Sequence, residues 1–105
     1  MDFEWFKPWK PVTDEQLAKR IEDKLKKDLP EGHVLYGREF KLIATNGGAS
    51  DDYLFQLADG GFAEVELIWS SQDLPLNLAP PFPATTIYAS LDQWAEDTGW
   101  RWEGF

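Results

Sequence analysis

With 105 residues, 43% of them hydrophobic, and six Trp, three Tyr and seven Phe, the chain has the size of one domain and the apolar content to build its own core. It has no cysteine, which excludes disulfides, thiolate nucleophiles and thiolate zinc sites. The net charge of −9 disfavours nucleic acid and anionic membrane as partners, because affinity for phosphate comes largely from Lys and Arg.

The N-terminal segment 1–12 is rich in aromatics, with Phe3, Trp5, Phe6 and Trp9. Asp2 and Glu4 stand where a signal peptide carries positive charge, and Pro8 and Pro11 interrupt any apolar run. No stretch approaches the roughly 18 apolar residues of a membrane helix, so a cytoplasmic location is expected.

The first predicted helix spans Thr13 to Asp28. Thr13 and Gln16 have the spacing of a capping box, and Val12 and Leu17 that of a hydrophobic staple. Leu17, Ala18, Ile21, Leu25 and Leu29 gather within an arc of about 120°. The charged residues are expected on a solvated face, laced by Glu15 with Lys19, Glu22 with Lys26 and Asp23 with Lys27. Pro30 and Gly32 end the helix, and His33, the single histidine, reads as a turn residue bonded to backbone.

A three-stranded antiparallel meander follows, over Glu39 to Thr45, Asp52 to Ala58 and Phe62 to Trp69. Asn46-Gly47-Gly48 and Asp59-Gly60-Gly61 supply its turns. One face is apolar through Phe40, Leu42, Ala44, Tyr53, Phe55, Leu57, Ala63, Val65, Leu67 and Trp69. The other is mixed, with Ile43, Leu54, Phe62 and Ile68 beside Lys41, Gln56, Glu64 and Glu66. Residues 70–83 read as a long Pro-rich loop, Thr85 to Ala89 as a fourth short strand, and Leu91 to Asp97 as a C-terminal helix capped by Ser90 and Gln93. The expected fold is a single α+β domain with both helices on the apolar sheet face.

Catalytic patterns are sparse. There is no phosphate-binding glycine loop, zinc-protease helix or nucleophile elbow, and one histidine cannot make a multi-histidine metal site. Glu64 and Glu66 stand roughly 7 Å apart on one strand face, a separation some glycosidases use, but such pairs normally come from different elements lining a cleft. Asp51, Asp52 and Asp59 lack the spacing of a calcium loop and read as turn and cap residues. No enzyme activity, cofactor or metal is expected. Trp69 and Trp94 read as core, and the terminal Trp5, Trp9, Trp100 and Trp102 as aromatics packed back on the domain. The alternative use of these terminal aromatics is a platform for a sugar or peptide.

His33-Val34-Leu35-Tyr36-Gly37, Lys41-Leu42-Ile43-Ala44, Asp51-Asp52-Tyr53-Leu54-Phe55-Gln56-Leu57 and Ala63-Glu64-Val65-Glu66-Leu67-Ile68-Trp69 resemble the motifs of a family of small bacterial proteins. Pro81-Phe82-Pro83 and Tyr88-Ala89-Ser90 resemble its closing segment. The likeness covers about residues 33–94 and rests on aromatic and aliphatic positions, which implies fold maintenance and no particular reaction. Glu66 and Ile68 stand where that family has His and Thr, which argues against a shared histidine-based activity.

Charge carries the functional expectation. Residues 1–45 hold nine acids and nine bases, whereas residues 46–105 hold ten acids and one base, Arg101. Size and acidity are similar to those of immunity proteins of bacterial toxin systems, which hold a basic toxin by charge complementarity. The reading is a protein-binding domain for a basic partner, contacted through Asp51, Asp52, Asp59, Phe62, Glu64, Glu66 and Ile68. A structural or regulatory module is the alternative.

Overall fold

The computed structural model describes residues 5, 8–46, 51–67 and 83–99. Ile68, Trp69, Trp100, Trp102, the glycines at 47–48 and nearly all of the Pro-rich loop lie outside the described residues. The elements run β1 (Lys10–Pro11), α1 (Glu15–Asp28), β2 (Phe40–Thr45), β3 (Asp52–Leu57), β4 (Phe62–Glu66), β5 (Thr85–Tyr88) and α2 (Leu91–Thr98). All five strands form one antiparallel sheet in the order β1-β2-β3-β4-β5, so spatial order repeats chain order. The sheet thus has one strand more than expected. Lys10 and Pro11 pair with Thr45 and Ala44, and Pro11, which has no N–H to give, sits on an edge strand, where a proline is tolerated.

The two helices lie on opposite faces, which corrects the expectation that both cover one. Ile21 and Leu25 of α1 pack with Phe40, Leu42, Phe55, Leu57, Ala63 and Val65. Leu91 and Trp94 of α2 pack with Trp9, Ala44, Leu54, Phe62 and Tyr88. The mixed face is therefore a second core. A bulge makes this possible: Leu42 pairs with Phe55 and Ala44 with Leu54, so Ile43 is an extra residue that sends Leu42 to one core and Ala44 to the other. Trp5 and Trp9 pack edge-on against Trp94, at ring-centroid distances of 5.8 and 5.0 Å, so these two rings fold back on the domain.

Helix α1 departs from its expected cap and face. Asp14, not Thr13, is the N-cap, its Oδ1 accepting from the N–H groups of Gln16 (2.9 Å) and Leu17 (3.2 Å). Leu17 remains 41% exposed. The buried stripe is Ile21, Lys24, Leu25 and Asp28, at i, i+3, i+4 and i+7. Lys24 and Asp28 go inside as an ion pair with Nζ 2.6 Å from Oδ2. At 100° per residue Asp28 lies about 20° from Ile21 and inside the wider arc from Leu17 to Leu29, so helical periodicity itself turns it inward, and Lys24 one turn earlier supplies the counter-charge. Lys19 pairs with Asp23 at 3.1 Å, and Glu22 instead accepts the Leu42 N–H at 2.9 Å, tying the helix to β2.

His33 is only 5% exposed. Its Nδ1 accepts the Leu35 N–H at 3.0 Å, which assigns the ring proton to Nε2; that nitrogen donates to the Pro83 carbonyl at 2.9 Å. The Thr85 hydroxyl donates to the same carbonyl at 2.8 Å. The bonding to backbone is as expected, but the site is interior and joins the turn after α1 to the start of β5.

Candidate protein-binding surface

The expected contact residues separate into three environments. At one end of the sheet, Asp52 of β3 lies directly opposite Glu66 of β4, and Asp51 precedes it with its carbonyl accepting the Leu67 N–H at 2.9 Å. Asp51 and Glu66 are exposed and Asp52 is half-buried. The pairing register thus sets two acidic residues across from each other at this end of the sheet.

Asp59 stands at the other end of the β3–β4 hairpin. Its Oδ2 is ion-paired with the Arg38 guanidinium, and its Oδ1 accepts the Gly61 N–H at 3.1 Å. Gly60 beside it adopts φ +98°, the left-handed conformation that makes the turn. Asp59 therefore performs the turn-and-cap role and does not join the other acids.

Phe62 and Glu64 are covered by α2. Phe62 belongs to the second core, and Glu64, 9% exposed, accepts the Trp94 indole N–H at 2.8 Å. They are corrected from exposed contacts to interior residues, because the strand face that carries them is roofed by a helix. The same bond separates Glu64 from Glu66, which remains in solvent. Ile68 lies outside the described residues. Among the described residues no three His, Cys, Asp or Glu side chains group closely enough to hold a metal ion, and no helix is long and apolar enough to cross a membrane.

The structure adds acids that the sequence reading passed over. Asp92, Glu96 and Asp97 are exposed on α2. Their signal lay in the pattern Leu91-Asp92-Gln93-Trp94-Ala95-Glu96-Asp97, where the acids alternate with the buried stripe. Helix α2 is held by its capping box, with the Ser90 Oγ accepting the Gln93 N–H at 3.1 Å and the Gln93 Oε1 accepting the Ala89 N–H at 2.9 Å. The Tyr88 hydroxyl donates to Asp97 at 2.7 Å and fixes the helix end beside β5. Between them opens a cavity of about 520 Å³ lined by Ile87, Tyr88, Gln93, Glu96 and Asp97.

Because the sheet repeats chain order, the charge asymmetry of the sequence becomes an asymmetry in space. Strands β3, β4 and β5 and helix α2 contain no Lys or Arg. The exposed Lys19, Arg20, Lys26 and Lys27 are on α1, across the sheet from α2, and Lys10 and Lys41 are on β1 and β2. Compared with known proteins, the chain matches no family model, no curated protein and no solved structure.

Proposed function

We propose that the protein is a binding domain for a basic protein partner, which it meets on the side built from β4, β5 and α2. The observation that supports this is the lack of any Lys or Arg on those three elements, while Glu66, Asp92, Glu96 and Asp97 are exposed there. Acidic side chains without a basic one among the described residues of these elements favour encounter with an oppositely charged protein and oppose like-charged ones. Asp51 and Asp52, beside Glu66, extend it along one end of the sheet. A basic toxin held by an immunity protein is the specific form of this reading, and it rests on size and acidity. A sugar or peptide platform at the terminal Trp9 is disfavoured by the burial of that ring.

The reading is tested by capture from the native lysate on the immobilised full chain, comparing wild type with Asp92→Lys/Glu96→Lys and with Lys19→Glu/Lys27→Glu. The expected partner is basic, is released by raised salt, is lost from the first variant and is kept by the second. An acidic partner, or one kept by Asp92→Lys/Glu96→Lys, contradicts the reading.

A further inference from the structure

Strand β5 is the terminal strand of the sheet on its acidic side. The Glu66 N–H bonds to the Ala84 carbonyl at 2.9 Å, so residues 66 and 84 form a hydrogen-bonded pair. Antiparallel alternation then makes Glu64 with Thr86 and Phe62 with Tyr88 the next bonded pairs, and turns the N–H and C=O of Thr85 and Ile87 away from β4. Among the described residues no strand pairs with that outer edge. Natural sheets guard such an edge with Lys, Pro or a bulge. Thr85-Thr86-Ile87-Tyr88 contains none of these, and Ile87 is 41% exposed.

Beside this edge lie the cavity of about 520 Å³ and the carboxylates of Glu96 and Asp97. The Tyr88–Asp97 hydrogen bond holds that acidic wall at a fixed place relative to the edge. An extended segment laid along β5 points alternate side chains to opposite faces of the sheet. Those on the α2 side meet Glu96 and Asp97, and those on the other side lie beside Ile87, which shares the face of Ala63. We propose that the outer edge of β5 accepts an extended segment of a partner protein as an added strand, one whose residues alternate between Lys or Arg, set against Glu96 and Asp97, and apolar side chains set beside Ile87. Main-chain bonds to Thr85 and Ile87 give affinity, and the acidic wall with Ile87 gives selectivity. The inference rests on the reading of a basic partner and adds how that partner is held.

The test uses an acetylated, amidated eight-residue peptide alternating lysine and valine, titrated into the isotopically labelled full chain at low salt. Controls are the glutamate–valine peptide and a lysine–valine peptide N-methylated at alternate residues. The lysine–valine peptide is expected to shift the amides of Thr85 to Tyr88 and of Gln93 to Asp97, and the glutamate–valine peptide to leave them in place. Ile87→Pro removes an outward N–H that the β4 ladder does not use, and is expected to weaken binding about tenfold or more. N-methylation is expected to do the same on the unaltered protein, so the outcome does not depend on that variant folding. Equal affinity for the N-methylated peptide overturns the proposal. Shifts confined to Asp51, Asp52 and Glu66 overturn the added strand but leave the basic partner standing, and failure of both lysine peptides to bind removes both. Self-association of the protein alone through β5, reversed by Ile87→Pro, assigns the edge to a second copy and also overturns the proposal.

Discussion

Two polar side chains do interior work that their sequence context conceals. His33 follows Pro-Glu-Gly, a setting that favours a surface turn, yet both ring nitrogens are bonded in the interior and bridge residues 50 apart. Truncating it leaves the buried Leu35 N–H without the ring acceptor, and leaves the Pro83 carbonyl to the Thr85 hydroxyl alone. His33→Ala is therefore expected to cost about 2–3 kcal/mol in a urea melt, above the roughly 1 kcal/mol of a surface turn residue. Glu64 is legible as a strand residue but not as a buried one, because the reason for its burial is Trp94, 30 residues later. Glu64→Gln keeps an oxygen for the indole N–H and is expected to cost under about 1 kcal/mol. Glu64→Leu strands that N–H and is expected to cost about 1–3 kcal/mol, with the Trp fluorescence of the folded state altered. Equal melts for the two variants contradict this role.

At the level of elements, the strands of the meander and both helices were legible because each carries a strong period and its own punctuation, Asp59-Gly60-Gly61 before β4 and Ser90 with Gln93 at α2. What was not legible depends on contacts between elements. The pairing of Lys10 and Pro11 with β2 has no local signal in two residues, and the bulge at Ile43 is invisible in a run that alternates without a break. The cap of α1 is decided by one position: Thr13 has the box spacing, but Asp14 has the geometry. Asp14→Ala is expected to cost about 1 kcal/mol and Thr13→Ala close to none, read by thermal denaturation of both. Inside that helix, Lys24→Met or Asp28→Leu alone leaves a buried charge without its counter-charge and is expected to cost about 3–5 kcal/mol. The double variant is expected to cost clearly less than the sum, because it removes both charges together. Additive losses contradict the buried pair.

Over the whole molecule, the meander order converts a property of the chain into a property of the surface. Counting acids and bases along the sequence found the asymmetry, but assigning it to a side required knowing that strand order repeats chain order and that α1 and α2 occupy opposite faces. Of the seven expected contacts, Asp51, Asp52 and Glu66 come together, Asp59 serves its own turn, Phe62 and Glu64 are roofed by α2, and Ile68 lies outside the described residues. Association with a basic partner is expected to slow as salt rises, since the field reaches only about 10 Å at 0.1 M ionic strength. The polarity itself is measured without any partner, from the relaxation of backbone amides by soluble cationic and anionic nitroxides of equal size. The cationic probe is expected to dominate at Glu66, Thr85 to Tyr88 and Asp92 to Asp97, and to lose that advantage along Lys19 to Lys27. Equal relaxation by the two probes on both sides of the sheet would contradict a surface polarised for a basic partner.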